Sequence, residues 1–357
     1  METDAQPIAQ PKQLTTIETD RQYRVIRFSP NAKTLYGAGF DAAIHRWDLS
    51  GELPTELLVL PGHHGWVESL IFAAKHNLLL STDSWGQLCA WDIAPENPRP
   101  RWRHAEAHDG WIRAASISED QTLIATAGRD GTVRVWSVTD GKLLHELPGH
   151  EHEIFSVAVH KSGQAAASAD LLGNLKHWEL PSGKCVREVR LESMHYHDRD
   201  HDVAGLYSLR FHDAGKTLLC AGSQPNLTGN VGGIPSICWL DWESLEVTKT
   251  MEFGEKKQGY VYDYQFHPDG YLMLVTSGAP GAGQFICQRL DEEQPFFTTT
   301  KMSNCHSLAF DAASNRCIVA ATNRNSQGNG AVRDKEGKYL GNTSPLTIFE
   351  LPAMVDA

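Results

Sequence analysis

Histidine, hydroxyl and carboxylate side chains recur at set intervals along this sequence. His108, Thr126 and Asp130 form one such group; His63 with Ser81 and His150 with Ser168 begin two more. An imidazole placed between a hydroxyl and a carboxylate is the constellation of a nucleophilic Ser-His-Asp triad. A second cluster, His195, His197, Asp198, Asp200, His201 and Asp202, crowds imidazoles and carboxylates into one short stretch. That mixture suits zinc or another transition metal. Its spacing fixes no coordination geometry. His195, His197, Asp198 and His201 are therefore metal candidates within what reads as a solvated polar loop, and no cofactor is expected. The stretch GAPGAG is no phosphate loop, because no Lys-Ser or Lys-Thr follows it to open a helix.

The elements that carry these residues repeat. Four segments end alike, at Trp47, Trp91, Trp136 and Trp178, spaced by 44, 45 and 42 residues. An apolar residue opens a short alternating strand 24 residues before three of these tryptophans: Val67, Ile112 and Ile154. Four residues earlier stand His63, His108 and His150, two of them in a Gly-His pair. Between these landmarks the chain alternates with period two and is broken by turn dipeptides such as Asp130-Gly131 and Asp140-Gly141. Each repeat thus holds about four short strands. Three weaker copies open at Leu206, Val261 and Cys305, with Leu240, Gln288 and Phe349 in the tryptophan place.

These Gly-His and Trp-Asp marks resemble the WD-repeat family, strongly over residues 20–190 and more weakly after. The resemblance implies an all-β fold: one seven-bladed β-propeller of four-stranded antiparallel blades over residues 1–357. The blades are expected at about 21–62, 63–107, 108–149, 150–192, 203–256, 257–300 and 301–352. The strand KQLTTIE, at 12–18, would complete the last blade and remove its open edge, with 1–11 flexible. The family also implies that the recurring polar groups are structural. His108, Thr126, Asp130 and Trp136 match its buried hydrogen-bonded set in full. His63, Ser81 and Trp91 match with Trp85 at the aspartate place; His150, Ser168 and Trp178 match with Leu172 there. The first copy keeps Asp41 and Trp47 without the histidine.

By the same topology, residues flanking each opening position ring the mouth of an axial channel. They include Arg24, Trp66, Glu68, Trp111, Arg113, Phe155, Tyr207, Tyr260, Tyr262 and His306, with Phe40 and Arg129 from adjacent turns. A ring rich in Trp, Tyr, Phe and Arg has the composition of interface hot spots. Four insertions, around 193–205, 223–236, 277–284 and 323–345, should lengthen loops on the same face. The expected function is a non-catalytic scaffold that docks a peptide or protein at this face. The alternatives are a metal-dependent enzyme or ligand-binding propeller using residues 195–202, and an architectural subunit that uses its blade edges.

Charge narrows the partners. The chain has 32 basic and 44 acidic residues, a net charge of −12, and no basic run. Such a surface does not steer toward nucleic acid or anionic lipid. No apolar run reaches the roughly 18 residues a spanning helix needs. The seven cysteines form no C-x-x-C pair and fall mostly in apolar strands, as buried free thiols do. With no leader pattern in METDAQPIAQPKQ, the expectation is a cytoplasmic protein, monomeric by itself, that binds neither nucleic acid nor membrane.

Overall fold

A computed structural model describes residues 9–198, 201–226, 229–255, 258–278, 282–323, 336 and 341–352. The chain is an all-β propeller. Successive antiparallel sheets take their strands in chain order, from the axis outward. The Trp91 sheet, for example, runs Val67–Ala73, Leu78–Asp83, Leu88–Asp92 and Arg99–His104. The Trp136 sheet runs Ile112–Ile117, Leu123–Gly128, Thr132–Ser137 and Leu143–Pro148.

The core lies between neighbouring sheets. Trp91 packs with Val25, Tyr36 and Ile44 of the sheet before it. Trp136 packs with Leu78, Leu80 and Ala90, and Trp178 with Ala125, Val133 and Leu147. Trp47 closes the circle against Ala309, Ile318 and Leu346 from the other end of the chain. Period-two alternation does this: each strand turns one row of apolar side chains to each neighbouring sheet. Leu240 and Phe349, in tryptophan places, are buried in the same layer.

Seven separate four-stranded blades do not form. Among the described residues there are five discrete blades of four or five strands, a separate two-stranded hairpin and one continuous seven-stranded sheet. The join is Phe297–Asp311, a single strand of 15 residues. Its first part pairs with Gly283–Arg289 and its second with Arg316–Thr322. Elsewhere the chain leaves one sheet for the next through Gly- and His-rich links such as PGHHG. Here the linking sequence TTTKMSNCHS has β-formers and no Gly or Pro, so strand conformation persists. The bend is taken up at Asn304, whose φ is 39°, at the first of two register shifts. A second departure is in the Trp47 sheet, whose outer strand is split into Thr55–Glu56 and Leu60–Pro61.

The N-terminal strand Lys12–Ile17 pairs with Leu346–Glu350, Lys12 opposite Glu350 and Ile17 opposite Leu346. The two ends of the chain therefore share one sheet, as expected of a closing strand. Two of the expected loops are hairpins. Residues 217–241 continue a blade hairpin outward, with Asn226 opposite Gly229. His195–Asp198 pairs with His201–Ala204. Residues 1–8, most of the 323–345 insertion and part of 277–284 lie outside the described residues.

Candidate functional site

Three buried polar sets come first, because their geometry resembles catalysis. In the Trp136 sheet, His108 Nε2 lies 2.8 Å from Thr126 Oγ1, and its Nδ1 lies 3.0 Å from Asp130. The Trp136 indole N–H donates to the same Thr126 oxygen at 2.8 Å. The other two sets match it and recruit a carboxylate where none was expected. His63 bridges Ser81 at 2.7 Å and Asp83 at 3.0 Å; His150 bridges Ser168 at 2.7 Å and Asp170 at 3.0 Å. Trp85 and Leu172 do not occupy the acid's place. The acid stands two residues after the serine, at the strand's last position, rather than four after it in the turn. The signal was present as Ser-Thr-Asp and Ser-Ala-Asp.

In the Trp47 sheet the expected histidine is absent from the entry segment, but an imidazole arrives from the third strand. His45 Nε2 meets Asp41 at 2.7 Å, and Arg21 donates to Asp41 at 2.9 Å. In the Trp136 sheet Arg134 occupies His45's place and donates to Asp130 at 2.6 Å. Imidazole and guanidinium have exchanged strands around the same aspartate. Each hydroxyl accepts an indole N–H, and Ser81, Thr126 and Ser168 are at most 1% exposed. No substrate reaches such an oxygen, so these sets hold the blades. Burial pushes the Asp83 carboxyl up, but its bonds to His63 and to the Gln87 amide outweigh that and bring it down to about 2.

The mouth is built by bulges. In the inner strands the register slips between Tyr23 and Val25, Val67 and Ser69, Ile112 and Ala114, Ile154 and Ser156, Leu206 and Ser208, and Val261 and Asp263. The skipped residues are Arg24, Glu68, Arg113, Phe155, Tyr207 and Tyr262; His306 sits at the corresponding slip of the long strand. A bulged residue leaves the ladder and its side chain is re-aimed. All seven side chains line one axial cavity of about 860 Å³. Residues grouped from distant stretches of sequence thus meet around a single opening.

Their contacts run round the ring. Arg113 stacks on Trp111 at 3.4 Å and donates to Glu153 at 2.7 Å. Phe155 meets Tyr207 at 6.2 Å, Tyr207 stacks on Tyr260 at 4.5 Å, and Tyr262 meets His306 at 5.5 Å. Arg24 covers Tyr262 and donates to Glu68. Burial raises the Glu68 carboxyl above its ordinary value, with Arg24 opposing. Burial, aided by repulsion from Arg24, pulls His306 down to about 4, so its ring is neutral at pH 7.

Phe40, Trp66, Trp111, Arg129 and Tyr260 stand outside the cavity lining, on the rim. Phe40 meets Trp66 at 5.1 Å and Trp66 meets Trp111 at 5.6 Å. Gly128 lets the Trp111 backbone pass close by: a Cβ there would lie 1.9 Å from Trp111 O. Phe40 and Trp66 are 37% and 44% exposed, and Arg129 is exposed. Trp85, 68% exposed, is a rim aromatic that sequence reasoning placed in the blade instead. Sequence reasoning also missed Arg27, Asp263 and Ser307, below the mouth. Arg27 Nη1 donates to Asp263 at 2.8 Å and to Ser307 Oγ at 2.9 Å.

Asp202 accounts for the described part of the His/Asp cluster. It lies 2.8 Å from His195 Nε2 and 2.9 Å from His197 Nδ1, while Arg190 occupies His195 Nδ1 at 3.0 Å. No group of three or more metal-ligating side chains forms among the described residues. Asp200 and the side chains of Asp198 and His201 lie outside them.

A family model described as WD domain, G-beta repeat matches residues 54–92, 102–137 and 141–179. Each match begins in an outer strand and ends in the next sheet's third strand, so the sequence unit straddles two blades. The chain is similar to Nuclear distribution protein PAC1 of Arthroderma otae, 24% identical over 205 residues, covering 49% of this chain and 44% of that protein. It is 28% identical over 134 residues to Small ribosomal subunit protein RACK1y of Oryza sativa subsp. japonica, covering 37% and 38%. With Apoptotic protease-activating factor 1 of Rattus norvegicus it shares 27% over 163 residues, covering 46% and 12%. The chain spans less than half the length of each of these relatives.

Proposed function

The chain belongs to the WD-repeat family, and from that premise we propose that it is a non-catalytic scaffold that docks a peptide or protein on the mouth face of its propeller. The observation that carries this reading is the ring of bulged side chains, continued outward by Phe40, Trp66 and Trp111. Large aromatics beside arginine, set on inner strands and on the turns and links that adjoin them and partly open to solvent, are what a protein interface uses as anchors. One relative's name makes it part of a ribosomal subunit, a setting in which a propeller works by contact with neighbours. The buried serine–histidine–aspartate sets support no rival enzymatic reading. We place the protein in a reducing compartment such as the cytoplasm, because all seven cysteines are free and six are buried.

The test is affinity capture from the native host with the full chain as bait, beside Trp66→Ala and Trp111→Ala. Both variants should melt like the parent. Each should lose roughly 2 kcal/mol of binding to the specific partner, about thirtyfold in affinity. A captured set unchanged by either substitution would sink the proposal.

A further inference from the structure

Among the tryptophans and phenylalanines described, Trp85 is the most exposed, at 68%. It follows the strand Leu78–Asp83 and stands on the rim beside the mouth. Its turn lies tight against the segment that enters the next blade. The amides of Ala107 and His108 donate to Gly86 O at 2.8 and 3.2 Å, and a Cβ on Gly86 would lie 2.3 Å from His108 O. This seam sets Trp85 next to Glu106 and Asp109. Both are exposed, and neither belongs to an ion pair among the described residues. On its other side Trp85 adjoins Trp66: a Cβ on Gly65 would lie 2.6 Å from Trp85 Cδ1, and Trp66 N donates to Ser84 Oγ at 2.9 Å. Two open indoles and two carboxylates outside any ion pair among the described residues therefore share one stretch of rim.

Two of the neighbouring cations are paired. Arg24 is paired with Glu68, and Arg113 with Glu153. Arg129 is exposed and outside any ion pair among the described residues; its side chain lies along Gly110, where a Cβ would stand 3.4 Å from Arg129 Cδ, so one guanidinium faces the two carboxylates of Glu106 and Asp109. The charge left over at Trp85 is negative, as is that of the whole chain at −12.

We propose that Trp85, Trp66, Glu106 and Asp109 form a docking point for a basic segment of the partner. Its arginine or lysine side chains would lie on the indole faces while the carboxylates take up their charge. An indole attracts a cation through its quadrupole, and complementary charge selects and speeds the encounter. An acidic segment would meet like charge here, and a neutral one would leave the excess negative charge in place. This proposal rests on the reading of the mouth face as the partner site and names the chemistry of the partner.

A displayed library of random peptides about twelve residues long, selected on the full-length protein, tests it. Winners should carry an excess of Arg and Lys over the input. A synthetic winning peptide should bind about tenfold more weakly to Trp85→Ala and to the double variant Glu106→Gln/Asp109→Asn, and more weakly as salt rises. All the altered side chains are exposed, so unchanged melting curves establish that the fold is intact. Winners that are neutral or acidic, or that bind both variants as they bind the parent, overturn the proposal. If such winners still depend on Trp66, the mouth remains a docking face and only the basic docking point falls. If no winner depends on Trp66, Trp111 or Trp85, or nothing is enriched, both fall.

Discussion

His63, Ser81 and Asp83 reproduce a hydrolytic triad's distances with none of its accessibility, and substitution separates geometry from chemistry. Ser81→Ala leaves His63 Nε2 and the Trp91 indole N–H without their shared partner inside the blade. It should cost about 1–3 kcal/mol, read as a lowered denaturation midpoint. The set also predicts an acid limb. Asp83 is held near 2 in the folded protein, below its unfolded value of about 3.9. Its contribution is complete above that unfolded value and disappears as pH falls through the folded one. Burial holds His108 below its ordinary value, so the unfolded chain takes up that proton first and stability already begins to fall below about pH 6.5. Urea midpoints measured against pH should therefore decline in two stages, and Asp83→Asn should flatten the more acid one. At this scale the histidines, hydroxyls and tryptophans were legible, because their spacing is invariant. Of the acids, Asp41 and Asp130 were legible in the turn, but Asp83 and Asp170 were not, because a carboxylate two residues nearer the hydroxyl reaches the same Nδ1 from a different backbone site.

Strands show the same division between what pattern specifies and what it leaves open. Alternation and turn dipeptides marked the blades through Trp178, and the spare strand at 12–18 was found at the edge it was expected to cover. The continuous strand Phe297–Asp311 was not legible, because the repeat landmarks on either side of it keep their spacing whether or not the link between them turns. The bulges were equally hidden, since one skipped residue leaves the apolar rhythm on either side intact. Closure makes a prediction that belongs to elements. A chain lacking residues 1–17 exposes the Leu346–Glu350 edge, which pairs otherwise with Lys12–Ile17. It should melt at a lower temperature and self-associate in sedimentation, since an open edge recruits other strands. An unchanged, monomeric truncation would mean that the strand is ornament.

Across the whole molecule, the first sheet meets the last through Arg27, Asp263 and Ser307, with Ile26 N also donating to Ser307 Oγ at 3.1 Å. Asp263→Ala removes the acceptor for Arg27, for Ser307 and for the Leu308 amide. It should cost roughly 3 kcal/mol in chemical denaturation, more than the loss of any rim aromatic. Long insertions after the second strands were visible as departures in length, but length alone did not distinguish a loop from the hairpin that residues 217–241 form. What placed the mouth was the family resemblance, whose topology assigns the residues flanking each opening position to one face. Those residues are also the ones that slip out of register. A position excused from pairing imposes little demand on what grows from it, so Phe155 or Tyr207 can be exchanged for another type while the scaffold beneath stays as it was, whereas Arg24 is tied to the buried Glu68. The molecule thus separates the part that must be inherited intact from a circle of sites free to be rewritten, and a new specificity can evolve there without first inventing a new fold.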